Sequence, residues 1–334
     1  MAAPATPQQL ADLVQEQQAA EAAALEEQVA TQADDGAGAE LAGLVTVALG
    51  AWVAAFGALT AMGAGVKLAS LLAGVRADVE RASRRLGARS QHALEQALLD
   101  ASQLGARHAA GFLTRATGRR HAVPDVGVPE DAARAAAALA QAVGDQLRLA
   151  ARLLSPRTVS GTGWRGVVLG VAAARRAAAM VRRTIAWAIH RAVNGGAAQA
   201  ADHYGARLLW ISEPDACVIC LAYAGHISTA DGRFPGGLSM DPHSRSNRAA
   251  ALDGPPAHPN CRCRAVPWLP DWDTGPGSLP ALLQDQALRA IAAGRGRPSE
   301  SRAARRRAAQ ALLARRGLSA RVRREAAATV AGRT

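Results

Sequence analysis

All four cysteines of this 334-residue chain lie between residues 217 and 263, in two close pairs. The first pair is Cys217-Val-Ile-Cys220. The second, Cys261-Arg-Cys263, closes the string Pro255-Pro256-Ala257-His258-Pro259-Asn260-Cys261-Arg262-Cys263. A Cys-x-x-Cys turn puts two thiolates on one side of a tight loop, the usual half-site of a tetrahedral metal centre. The other half must come from the second string. His258 and Cys261 stand three apart and can converge. Cys261 and Cys263 flank one residue, so an extended strand points both the same way. Five donors thus compete for four positions. The spacing predicts a structural Zn2+ held by Cys217, Cys220 and Cys261, with His258 or Cys263 as the fourth ligand. Two disulfides or free thiols are the competing readings. Nothing marks a secretion signal, and cytosolic thiols stay reduced. A thioredoxin-like redox pair would need a βαβ context that the sequence lacks.

Catalytic patterns are missing, and the expectation is that the chain is not an enzyme, has no catalytic residues and takes no small-molecule substrate. A zinc deaminase needs His-x-Glu ahead of its Cys-x-x-Cys; here the Cys-x-x-Cys comes first and no His-x-Glu exists. Ser239, Asp241 and His243 invite a triad reading, but no nucleophile elbow accompanies them. No Gly-x-x-x-x-Gly-Lys-Ser/Thr loop is present to cradle a nucleotide. His203, His226 and His243 are the remaining histidines near the cysteines.

Charge is unevenly spread. Residues 1–66 carry eight acids and no lysine or arginine, which leaves +20 on the remainder to reach the net +12. From Gln286 onward thirteen arginines face two acids, Glu300 and Glu325. Cationic side chains that displace counterions bind nucleic acid without reading its sequence. The clusters predict DNA contact through Arg305, Arg306, Arg307, Arg315, Arg316, Arg321, Arg323 and Arg324.

The segment from about Arg182 to Pro267 resembles the MuF-like minor head proteins of tailed bacteriophages, the phage head morphogenesis family. The residues that carry the resemblance are Arg183-Thr184, Asn194, Trp210, Asp215, Cys217, Cys220, Gly225 and the string from Pro255 to Cys263. Ile185 stands where relatives often have an acid. The resemblance implies a virion component present in few copies in the interior of the head near the portal, and in the host cytoplasm during assembly. Its implied partners are the portal protein, capsid or scaffold proteins, and packaged DNA. It implies no catalysis.

Periodicity organises the rest. A polar helix is expected over 6–31, broken by Asp34-Asp35-Gly36. Residues 41–66 hold no charge and read as one apolar helix, long enough to cross a membrane. Their glycines suit close helix packing in an assembly. Helices are further expected over 67–118, over 130–154 after an acidic first turn, and over 164–201 with a break at Asn194-Gly195-Gly196. Residues 160–163 read as a flexible link. Strands are expected at 208–211 and 262–266, with loop over 236–254 and helices at 279–293, 301–316 and 319–331. The fold expected is mainly α with a small α+β C-terminal unit: long Ala-rich helices, a short-stranded module stapled by zinc, and a helical basic tail. Four regions follow: an acidic segment 1–38, a helical assembly region 39–158, an α+β domain 164–270 with the Cys/His cluster, and an Arg-rich tail 279–334. The alternative function is a membrane-associated zinc module anchored by 41–66.

Overall fold

The computed structural model describes residues 3–244, 250–297 and 300–333. It is mainly helical, with one two-stranded antiparallel sheet. Helical backbone begins with α1 (Pro7–Asp12), passes through a π-helical turn at Leu13–Gln18, and continues as α2 (Ala19–Asp34). Thr6 and Gln9 form a reciprocal capping box at its start, which satisfies two orphan N–H groups. Asp35 and Gly36 take positive φ and end α2. There follow α3 (Ala37–Phe56), α4 (Gly65–Thr117), α5 (Glu130–Ala137), α6 (Leu139–Leu153), α7 (Pro156–Thr162) and α8 (Trp164–His203). The C-terminal part holds β1 (Arg207–Ile211), α9 (Val218–Tyr223), β2 (Arg264–Trp268), α10 (Leu279–Ala292), α11 (Arg302–Leu313) and α12 (Ala320–Val330).

Two compact units emerge. One comprises residues 26–98 and 130–188. Its buried side chains include Leu41, Trp52, Leu72, Leu86, Leu139, Val167 and Ile185. Trp52 packs against Phe56 at 4.7 Å and Trp164 at 5.9 Å between ring centroids. Three expectations fail here. The apolar run 41–66 is not one helix: α3 stops at Phe56, because Gly57 adopts φ +81 and turns the chain. The expected single helix over 130–154 has a seam at Ala138. Residues 160–163 are not a flexible link; Ser155 caps α7, which Gly163 closes at φ +59.

The other unit comprises residues 1–25, 99–129 and 189–334. In it α8 runs through Asn194-Gly195-Gly196 without a break. These glycines serve contact and do not bend the helix. A Cβ on Gly196 would lie 1.9 Å from the Ser102 carbonyl oxygen, and one on Gly105 would lie 1.8 Å from that of Val193. Only glycine allows α4 and α8 to approach so closely here. β1 pairs with β2 from Arg207↔Trp268 to Ile211↔Arg264. Its other edge bonds residues 225–228: Trp210 N–H donates to the His226 carbonyl and Gly225 N–H to that of Trp210, both at 2.9 Å. Helices α10, α11 and α12 pack together in the same apolar cluster as the strands and the cysteines. Trp210 stacks on Tyr223 at 4.7 Å and meets Phe234 edge-on at 5.2 Å. The cysteine module is therefore not poor in core, as long loops alone would suggest. Of the loop expected over 236–254, residues 245–249 lie outside those described.

Candidate metal centre

The first cysteine pair sits where β1 gives way to α9. The Ala216 N–H donates to the Glu213 carbonyl at 3.0 Å, and this turn delivers Cys217 as the residue capping α9. Cys220 follows within the first turn. The second pair arrives through a turn in which Cys261 N–H donates to the His258 carbonyl at 2.9 Å. Cys263 then lies one residue ahead of β2.

These two loops meet. His258 Nε2 lies 3.1 Å from Cys217 Sγ and 3.2 Å from Cys220 Sγ, while Cys220 and Cys261 Sγ are 3.4 Å apart. The donor atoms of Cys217, Cys220 and His258 all fall within 4.8 Å of one another, as do those of Cys220, Cys261 and Cys263. Cys220 belongs to both groups. All four cysteines are free thiols. Bonds of about 2.3 Å to sulfur and 2.0 Å to nitrogen space the donors of a tetrahedral zinc roughly 3.5–3.8 Å apart. The cluster could hold a metal ion with small outward shifts of its side chains.

The electrostatics favour charged donors at the half-exposed end. Hydrogen bonding from Cys220, reinforced by His258, pulls the Cys217 thiol down to about 4. The Cys217 partnership in turn raises the His258 imidazole above its ordinary value. Burial pushes Cys263 up to about 12. Burial also works against Cys261, but hydrogen bonds from Cys220 and Cys263 hold it well below the usual thiol range.

An outer layer braces both loops. Arg297 Nε donates to Asp215 Oδ2 at 3.2 Å, its Nη1 donates to the Asn260 carbonyl at 3.0 Å, and its Nη2 pairs with Glu213. One guanidinium thus ties the Cys217 loop to the Cys261 loop. Burial raises the Glu213 carboxyl despite Arg297; Asp215, also pushed up by burial, is carried below its usual value by Arg297. Glu300 Oε1 accepts the Val218 N–H at 2.7 Å, and Oε2 accepts Arg305 Nε at 2.8 Å. Behind the cluster, buried Asn194 acts as a neighbour to the start of β2. Its Nδ2 donates to the Cys263 carbonyl at 3.0 Å and its Oδ1 accepts the Ala265 N–H at 2.8 Å.

The five metal-ligand candidates are brought together. His203 and His226 instead face Tyr204 and Tyr223. Asp241 accepts from Arg307 Nε at 2.9 Å and Nη2 at 2.6 Å, and accepts the His243 N–H in a local turn. No relay joins Ser239, Asp241 and His243 as a triad requires. Among the arginines proposed for DNA, Arg306, Arg315, Arg316, Arg321, Arg323 and Arg324 are exposed, and Arg321 pairs with Glu325. Arg307 is half-buried beside Asp241. Arg305 is the correction: at 4% exposure it is an internal brace, donating to Glu300 and to the Ala216 carbonyl. Arg297 and Glu300 were missed by sequence reasoning, because they lie in the stretch read as a polyanion arm. Glu300, one of two acids after Gln286, was the available signal. Compared with protein-family models, curated proteins and solved structures, the chain finds no match.

Proposed function

We propose that this chain is a structural protein stapled by a metal ion, not an enzyme. Its ion is zinc, held by Cys217, Cys220, Cys261 and His258, with Cys263 as a buried thiol behind the ion. Four thiols and an imidazole form the donor set zinc prefers, and all candidate ligands are protein side chains, as in closed structural sites. Within that class the reading is a minor head protein of a tailed phage, MuF-like in residues 182–267, located inside the head near the portal. The carrying observation is that the loops at Cys217 and Cys261 close on each other. They are also the motifs through which the sequence resembles that family. In this reading the exposed arginines of α11 and α12 lie against packaged DNA, and the apolar helical unit meets portal, capsid or scaffold protein. Mass spectrometry of purified particles tests the role: a few copies per virion are expected, and absence from particles made in an infected host that expresses the chain overturns it. Metal analysis of purified protein tests the site. About one equivalent of zinc is expected, and protein that folds and stays soluble without any bound metal refutes the staple.

A second reading keeps the zinc module but anchors it to a membrane. It rests on α3, a 20-residue helix with mean hydropathy 1.8 of which 22% of the apolar window is buried. Recovery of the full chain in the membrane fraction, resistant to a salt wash, would favour this reading. A fully soluble product without detergent counts against it.

A further inference from the structure

Beside the cysteine cluster, a separate cavity of about 590 Å³ opens at the start of α11. Its lining includes Arg297, Glu300, Ser301, Arg302, Arg305 and Arg306. Three observations converge on it. First, α11 begins there: Ser301 is its N-cap residue, and its side chain makes no capping bond. The first N–H groups of a helix have no intrahelical acceptor, and the macrodipole puts partial positive charge at that end. Second, Arg305 is 4% exposed, and its Nη1 has no hydrogen-bond partner although Nε and Nη2 are both engaged. A buried guanidinium N–H without an acceptor calls for one. Third, Arg302 and Arg306 stand exposed at the rim. Glu300 is the one carboxylate among the described lining residues, and Arg305 neutralises it.

We infer that this cavity is a seat for a phosphate group. A tetrahedral dianion there accepts from the α11 N-terminus, takes the free Nη1 of Arg305, and is closed in by the forked donors of Arg302 and Arg306. The seat differs from the diffuse arginine coat read from the sequence. It uses Arg305, which that coat loses to burial, and it shares Arg297 and Glu300 with the layer that braces the cysteine loops. A nucleic-acid backbone and a free phosphomonoester present the same phosphate oxygens, and the experiment below separates the two sources.

The test uses full-length, metal-loaded protein titrated with inorganic phosphate by calorimetry, at ionic strength held constant with sodium chloride so that bulk screening cancels. Saturable binding is expected. R302Q/R306Q, which changes only exposed side chains, should weaken it about tenfold or more, the loss typical of two charge-assisted contacts. R315Q/R316Q, equal in charge and placed after α11, should leave it within about twofold. Arg305→Lys, which retains the buried charge but loses the fork, should weaken binding while keeping the far-ultraviolet spectrum of the native protein. Absence of saturable phosphate binding overturns the proposal, and so does equal weakening by both double variants. The source is read from labelled duplex DNA. If R302Q/R306Q releases DNA more than R315Q/R316Q does, the seat holds a backbone phosphate. If both release it equally while phosphate binding still separates them, the seat serves a free phosphomonoester.

Discussion

The two compact units differ in what stands opposite particular glycines and in where some of their polar contacts lie. In the unit containing the cysteines, Gly105 and Gly196 sit where helix backbones nearly touch, and buried polar groups pin loops together. In the unit of residues 26–98 and 130–188, Gly43 and Gly50 face open space, and Val47 beside them is 63% exposed. Its ion pairs, such as Arg84–Glu80 and Arg134–Glu130, lie at the surface, where each contributes little. One unit pins its loops with buried polar contacts; the other presents an uncharged helix face that its own fold leaves uncovered. The contrast teaches that glycine content alone does not mark flexible or broken helix. What stands opposite each glycine decides its role.

The largest effect is expected at Cys220, the donor shared by both halves of the cluster. Cys220→Ser should abolish metal retention and lower stability by about 4 kcal/mol or more, since binding energy at such a site is folding energy. Elemental analysis and urea unfolding measure the two. His258→Ala should lose metal more readily than Cys263→Ser, because His258 touches Cys217 and Cys220, while burial pushes the Cys263 thiol up to about 12 and binding through it must also displace that proton. The reverse order would move Cys263 into the ligand set.

Gly196→Ala comes next. The added methyl meets the Ser102 carbonyl, a backbone atom that cannot rotate away, so a loss of about 3 kcal/mol is expected. Gly50→Ala, inside α3 with nothing within 4 Å of its Cβ, should instead stabilise by about 1 kcal/mol through helix propensity. Urea midpoints for the pair sharpen the comparison directly; a loss at both positions would show that the α3 face is covered in solution. Between them falls Arg297→Ala. It frees Glu213 and Asp215 and should cost about 2 kcal/mol, a figure reduced for partial solvent screening of the pair.

The helices were legible because their apolar positions repeat every three or four residues: α10, α11 and α12 begin and end within a few residues of expectation. The cysteine cluster was legible because ligand spacing is a local property. What escaped was set by tertiary contact. Asn194-Gly195-Gly196 reads as a breaker until Ser102 and Pro129 are seen against it. Arg297 looks like one more tail arginine until the Asn260 carbonyl is found at its end. The end of α3 at Gly57 hid among several similar glycines, and only its backbone conformation singles it out.

The smallest effect is a pH dependence inside the unit that contains the cysteines. His108 is buried, with Nε2 2.8 Å from Glu21 Oε2. Burial lowers its pKa below 6.5, outweighing the hydrogen bond to Glu21; Glu21 is lowered by the hydrogen bond from His108. The two shifts imply different charges on the ring. Burial governs, so a neutral imidazole donates its Nε2 proton to the carboxylate. The unfolded chain therefore binds a proton on His108 before the folded one does. Stability from this residue is constant above its unfolded value, begins to fall near pH 6.5, and continues falling until the folded pKa is passed. The half-exposed Glu21 adds a further, weaker loss below 4.5. Between pH 7.5 and 5.5 the wild type should lose more stability than His108→Gln, which keeps a donor of similar shape without a titrating ring. Taking the difference cancels contributions from the distant thiols, provided the sites are independent. Identical pH slopes for the two proteins would show that His108 is protonated as readily in the fold as out of it.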